Sequence, residues 1–106
     1  MWYYTKEFDD VTDDPPLYME DLINHANTAY QNSNINLRLE TLCVEKLEDT
    51  FKETDSDGAD KDVTTLLNDF VGAKGSATNL RQTADLAFLV TSTYRGGACG
   101  AVSTLP

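Results

Sequence analysis

The stretch that decides the fold is LRQTADLAFLV, residues 80–90, in which the end of a helix leads directly into a strand. Leu86 to Val90 is nearly continuous apolar sequence, which is typical of a strand covered on both faces. A turn with Gly96 and Gly97 follows, and glycine permits the backbone conformations that a tight turn needs. The next residues, 98–105 (ACGAVSTL), predict a second strand at the edge of the sheet.

Helices and strands alternate in the residues before this stretch. Residues 2–5 are aromatic and β-prone and predict a short strand, and the acidic residues 8–14 predict a loop. Asp13-Asp14-Pro15-Pro16 is a helix-start signal, because Asp caps helices and Pro is tolerated in the first turn. It predicts a helix from about Pro16 to Asn32. The apolar stripe expected on this helix consists of Leu17, Leu22, Ala26, Ala29 and Tyr30, with Ile23 beside it.

Residues 35–46 alternate along their length and predict the longest strand of the sheet. One set of side chains, which is mostly apolar, is expected to face the core and to bury the thiol of Cys43. A second helix is expected to start at residues 60–62 and to end at residues 72–75, and a short helix is expected to end at Gln82. The apolar stripe of the second helix consists of Val63, Leu66, Leu67, Phe70 and Val71.

This order of elements predicts an α/β fold. Strands that alternate with helices favour a mixed, largely parallel four-stranded sheet with about two main helices. At 106 residues, the chain is expected to form a single domain over residues 1–106.

The net charge limits the kinds of partner. Eighteen acidic residues against eight basic ones give a formal charge of −10. This balance argues against nucleic acid and anionic membranes, because both are bound through basic patches. Cationic partners or divalent ions fit better, although solubility alone explains such a charge as well. The chain has no apolar run long enough to span a bilayer, and residues 1–6 lack the features of a signal peptide.

Several segments, taken in order, resemble the N-terminal subdomain of the reprolysin-like metzincins, which are zinc endopeptidases. Tyr4-Thr5 is similar to the end of the family's first strand, and residues 26–35 (ANTAYQNSNI) to the helix exit that leads into its second strand. Residues 80–86 are similar to the entry of the third strand, and Cys99-Gly100-Ala101-Val102 to the edge strand that holds the substrate. The resemblance covers nearly the whole chain and implies half of a metzincin catalytic domain.

The resemblance implies a substrate site on the last strand. In the family this strand binds an extended peptide by strand addition, and Gly100, Ala101, Val102 and Ser103 are small enough to leave room for one. The residues alone leave two alternatives open, a plain sheet edge and an edge that pairs with another subunit.

The resemblance also implies zinc in the complete family domain and a secreted protein. The family's zinc helix carries His-Glu-x-x-His, whereas this chain has one histidine, His25, and no such motif. A surface or packing role is favoured for His25. We therefore assign no catalytic residue and expect the chain to be inactive alone, with the zinc chemistry supplied by a missing C-terminal half of the domain.

Residues 53–62 resemble a calcium-binding loop. Asp55, Asp57 and Asp60 supply the carboxylates that a hard cation prefers, and Asp85 stands where venom-type relatives place a ligand of structural calcium. The alternatives are a solvated acidic loop that caps the next helix, and an Asp85 side chain that bonds to backbone N–H groups.

The sequence is also compatible with other functions and with several cysteine states. One alternative is a non-enzymatic, acidic, self-assembling protein derived from a metalloprotease, and another is a module that binds extended peptides. Cys43 and Cys99 either pair with each other, pair with residues absent from this sequence, or stay free.

Overall fold

A computed structural model describes residues 1–92, with the side chains of residues 77 and 78 left out. The elements in chain order are β1 (Trp2–Tyr4), α1 (Lys6–Val11), α2 (Pro15–Asn32), β2 (Val44–Lys46), α3 (Val63–Gly72), α4 (Ala77–Arg81) and β3 (Phe88–Val90). The strand predicted at residues 98–105 lies outside the described residues. No helix within residues 1–92 is both long and apolar enough to cross a bilayer.

The sheet is parallel and has β1 at its centre. In residues 1–92 it contains three strands in the order β2-β1-β3. Tyr3 in β1 lies opposite Glu45 in β2 and Leu89 in β3. Parallel strands of one sheet need long crossover connections. Helices α1 and α2 lie in the connection from β1 to β2, and α3 and α4 lie in the connection from β2 to β3. The α/β class and the parallel pairing are therefore confirmed for three of the four predicted strands.

The main core lies between the sheet and the helices α3 and α4. Its buried members are Met1, Tyr3, Leu47, Phe70 and Leu80. The Tyr3 hydroxyl donates a hydrogen bond of 2.7 Å to the Leu80 carbonyl, and the Tyr3 ring meets Phe70 edge-on at 5.5 Å. The predicted stripe of α3 is confirmed, because Leu66 is buried like Phe70 and the other three members are half-buried.

Helix α2 begins and ends where the sequence predicts, but it buries a different face. The Asp14 carboxylate caps the helix by accepting from the Leu17 N–H at 3.2 Å. The buried residues are Pro15, Met19 and Ile23, whereas Leu17 and Leu22 are exposed. The buried residues follow one another at intervals of four, which keeps them on one side of a helix. The predicted stripe was wrong at Leu17, Leu22 and Ala29, which are exposed, whereas Ala26 and Tyr30 are half-buried.

The predicted loop at residues 8–14 is wrong over its first half, where the chain forms α1. The Thr5 hydroxyl caps this helix by accepting from the Phe8 N–H at 3.0 Å. Phe8 is buried, and its ring meets Tyr18 of α2 edge-on at 5.3 Å. A helix of six residues is too short to show an apolar period, so the acidic composition hid it.

The predicted strand at residues 35–46 is wrong except for its last three residues. The register pairs Val44 with Trp2 at the start of β1, so no residue of β1 lies opposite residues 35–42. At Leu39 the backbone bonds to a side chain and not to a neighbouring strand. The Asn27 side chain accepts from the Leu39 N–H at 2.7 Å and donates to the Leu39 carbonyl at 3.0 Å. Cys43 is exposed and not buried as predicted.

Candidate functional site

Polar side chains meet where β1 and β3 end. Because both strands are parallel, the residues that follow them, Thr5 and Ser92, lie at the same edge of the sheet. Glu53, from the connection between β2 and α3, lies between them and is only 1% exposed. Its Oε2 accepts from the Thr5 hydroxyl at 2.5 Å and from the Ser92 N–H at 3.0 Å, and its Oε1 accepts from the Ser92 hydroxyl at 3.0 Å.

These bonds explain how a carboxylate can be buried here. An ionised carboxylate loses a large hydration energy on burial, so it needs donors on both oxygens. The Thr5 and Ser92 groups supply donors to both. Glu53 therefore joins the ends of two strands to the connection that leads into α3.

A second carboxylate, that of Glu7 in α1, adjoins this cluster. Glu7 Oε2 accepts from the Glu53 N–H at 2.7 Å, and the Glu53 carbonyl accepts from the Lys61 N–H at 2.9 Å. The other oxygen of Glu7 is buried and has no hydrogen-bond partner among the described residues. The backbone of Glu53 is thus held on both sides, by α1 and by the start of the chain segment that enters α3.

The acidic loop after Glu53 is organised around Asp55. Its Oδ1 accepts from the N–H groups of Asp57 at 2.9 Å and Ala59 at 3.1 Å. Gly58 has a φ of 82°, a left-handed conformation that favours glycine. The loop closes with a bridge between Thr54 and Asp60. The Asp55 carboxylate is therefore engaged in the turn itself.

The predicted calcium ligands come only partly together. Asp55, Asp57 and Asp60 share the acidic loop, whereas Asp85 lies in the connection between α4 and β3 and is exposed. Over residues 1–92, no three His, Cys, Asp or Glu side chains form a group that could hold a metal ion. Calcium binding stays a prediction, and calorimetric titration of the chain with calcium tests it.

The described residues do not fit a catalytic zinc, which needs about three protein ligands. His25 is exposed on α2, with Nδ1 at 2.7 Å from the Asp21 carbonyl of the same helix. Cys43 is exposed and forms no disulfide within residues 1–92. The predicted substrate residues Gly100 to Ser103 lie outside the described part of the chain.

Sequence reasoning missed the cluster around Glu53. It treated Glu53 only as the first residue of the acidic loop and gave Glu7 no role. The sequence signal that indicates burial of Glu53 is its position two residues after Phe51, which packs against the core. Such a spacing places two side chains on the same side of an extended chain. That signal is local, whereas the partners of Glu53 lie 48 and 39 positions away.

Comparison with known proteins identifies the family of this chain. The reprolysin model of metallopeptidase family M12 matches residues 3–105, from β1 through the strand predicted at the end of the chain. No curated protein and no solved structure matches the chain significantly.

Proposed function

Because this chain belongs to the M12 metallopeptidase family, we propose that it forms the N-terminal part of a reprolysin-like zinc endopeptidase domain. The observation that carries the proposal is the family match, which starts in β1 and continues through the predicted strand Gly100–Ser103. The parallel order β2-β1-β3, with helices in both crossovers, supports it because the resemblance implies such a layered sheet.

In this proposal the chain contributes substrate binding. An extended peptide adds to the edge strand at Gly100 to Ser103, where backbone N–H and C=O groups give affinity and neighbouring side chains give selectivity. Small residues at these positions let the peptide backbone approach closely. The proposed substrate is therefore a peptide in extended conformation, without proline at the positions that pair with the strand.

Catalysis is proposed to depend on residues outside these 106. The family's His-Glu-x-x-His does not occur in the sequence, and the donor groups within residues 1–92 do not make a zinc site. The proposal includes a secreted location, which rests on the family alone. We expect mass spectrometry to find no cleavage of an extended peptide by this chain with added zinc, and zinc-dependent cleavage would contradict that part of the proposal.

Peptide binding is tested with a matched pair of ligands. Calorimetry would compare an extended peptide with the same peptide N-methylated at alternate amides, which removes donors and leaves the side chains unchanged. Strand addition predicts that the methylated peptide binds at least about tenfold more weakly, since each lost hydrogen bond is worth about 1 kcal/mol. Equal binding of the two peptides, or no binding of either, would contradict the proposal.

A specific observation favours a second function, self-assembly without catalysis. Large apolar side chains are exposed on the segment before β2, namely Ile35, Leu37 and Leu42, each at least half exposed. Leu17 and Leu22 of α2 are exposed as well. Exposed apolar surface of this kind favours association between copies.

Sedimentation velocity tests this second function. Self-assembly predicts particles larger than the 11.7 kDa chain, and it predicts that the double variant Leu37→Asp, Leu42→Asp returns them to monomers. Val11→Asp is the control, because Val11 is also exposed but lies on α1. A parent chain that stays monomeric across the concentration range would rule the assembly out.

A further inference from the structure

Negative charge is concentrated on the two helices between β1 and β2. Residues 7–37 hold seven acidic residues and no lysine or arginine. Three of the seven have partners, since Glu7 accepts from a backbone N–H and Asp9 and Asp10 form ion pairs with lysines. The other four are exposed and form no ion pair within residues 1–92, namely Asp13, Asp14, Glu20 and Asp21.

Large apolar side chains are exposed on the same two helices. They are Val11 of α1 and Leu17, Tyr18 and Leu22 of α2, with exposed fractions between 41% and 71%. Leu22 neighbours Tyr18 on the helix surface, because residues four apart share a side of a helix. Phe8 lies one turn before Val11 and contacts the Tyr18 ring at 5.3 Å. These four apolar side chains and the four unpaired acids together form what we call the α1–α2 face.

The other helical layer differs from this one. Helices α3 and α4 bury Leu66, Phe70 and Leu80 against the rest of the fold. No large apolar side chain is exposed anywhere within residues 43–85. The combination of exposed apolar surface and unpaired acids is therefore a local property of the α1–α2 face and not a general property of this acidic chain.

We propose that the α1–α2 face binds a basic amphipathic segment of another protein. The apolar side chains of the segment meet Leu17, Tyr18 and their neighbours, and its lysines or arginines meet the surrounding carboxylates, as complementary charges do across interfaces. A second copy fits less well, because a symmetric contact would bring two equally acidic faces together. This proposal goes beyond the proposed peptidase role and does not depend on it.

Three synthetic peptides test the chemistry of the partner by fluorescence anisotropy. The first carries leucine and lysine at helical spacing, the second has glutamine for every lysine, and the third has serine for every leucine. We expect the first to bind and each of the others to bind at least about tenfold more weakly, because both charge and apolar contact contribute. A third peptide that binds as tightly as the first would show a nonspecific anionic surface and overturn the proposal.

The acidic part of the face is tested with two matched triple variants. The first carries Asp13→Asn, Glu20→Gln and Asp21→Asn, and it leaves Asp14 in place because that residue caps α2. The second removes the same amount of charge from exposed positions elsewhere, with Glu48→Gln, Asp57→Asn and Asp85→Asn. We expect the first variant to raise the Kd of the leucine–lysine peptide about tenfold and the second to raise it less than about threefold. Equal Kd values for the two variants would contradict the proposal.

The apolar part is tested with the same substitution at two leucines of similar exposure. Leu17 is 52% exposed and Leu86 is 55% exposed, so neither substitution opens the core. Leu17→Ser is expected to raise the Kd about fivefold and Leu86→Ser to leave it within about twofold of the parent. An unchanged Kd in Leu17→Ser would overturn the proposal. So would a parent dimer, seen by sedimentation velocity, that Leu17→Ser separates, since it would assign the face to a second copy.

Discussion

Tyr3 connects the centre of the sheet to the helical layer through one side chain. It is completely buried, its hydroxyl donates to the Leu80 carbonyl, and its ring contacts Phe70. Burial raises the pKa of Tyr3 above its ordinary value, and the charge of Glu45 adds to the effect. Because the folded state favours the neutral phenol, this group's contribution to stability is complete below about pH 10 and is lost as the pH rises through the raised pKa.

Tyr3→Phe is expected to lower the free energy of unfolding at neutral pH by about 1–3 kcal/mol, since it leaves the Leu80 carbonyl unpaired in the core. It is also expected to weaken the decline of stability between pH 7 and about pH 10.5. Urea unfolding at both pH values measures the two effects. Tyr18→Phe is the control, because Tyr18 is 46% exposed. An alkaline decline as steep in Tyr3→Phe as in the parent would contradict the assignment.

For helices and strands, the sequence predicts features that depend on adjacent residues better than features that depend on distant ones. The starts of α2 and α3 were predictable, because Asp14 and Asp62 cap them with side chains from the adjacent residues. The lack of a strand at residues 35–43 was not predictable, because alternation shows only that a segment can pair and does not show whether a partner strand is available. The Glu53 cluster was not predictable for the same reason, since its partners come from distant parts of the chain.

Asn27→Ala tests the hydrogen bonds between the Asn27 side chain and the Leu39 backbone. The variant removes the acceptor of the Leu39 N–H, so the amide hydrogen of Leu39 is expected to exchange at least about tenfold faster, as for a lost bond of about 1.4 kcal/mol. Asn27→Asp keeps that acceptor and is expected to retain most of the protection. Exchange at Leu39 that is unchanged in Asn27→Ala would show that its amide is protected in another way.

The cap of α3 predicts an effect of acid on stability. The Thr65 N–H donates to the Asp62 carboxylate at 2.7 Å, and this bond lowers the pKa of Asp62 below its ordinary value. The ionised form is favoured in the folded state, so its contribution is present above about pH 4 and is lost as the pH falls through the lowered pKa. Asp62→Asn keeps an oxygen acceptor but cannot ionise in this range.

Asp62→Ala is expected to lower the Tm by several degrees at pH 7, and Asp62→Asn by less, because Asn also caps helices. As the pH falls below about 4 and through the lowered pKa of Asp62, the difference between the parent and Asp62→Asn is expected to shrink. Thermal unfolding followed by circular dichroism measures all three chains. A parent and an Asp62→Ala variant with the same Tm at pH 7 would show that the cap contributes nothing.

For the whole molecule, a charge of −10 opposes the association that the exposed leucines favour. Repulsion between two copies acts over the Debye length, which falls from about 30 Å at 0.01 M salt to about 3 Å at 1 M. If the chain self-associates, we expect high salt to strengthen the association. Sedimentation velocity at the two salt concentrations measures this, and weaker association at high salt would mean that ion pairs, not apolar contacts, hold the copies together.

The fold class could be predicted from the sequence, but the order of the strands in the sheet could not. Alternating helices and strands predict a parallel sheet, but they do not say which strand is central. The register of β1 against both neighbours places it in the middle, and this arrangement brings Thr5 and Ser92 to the same edge. The family itself could be recognised from short segments, because their order along the chain was preserved.

The stacking of Trp2 on Phe88 gives the molecule a natural optical probe. The rings lie 4.6 Å apart with 19° between their planes, and the chain has one tryptophan. The tryptophan fluorescence therefore reports on the contact between β1 and β3. Since 85 residues lie between Trp2 and Phe88 in the sequence, a change in emission is expected when β1 and β3 separate.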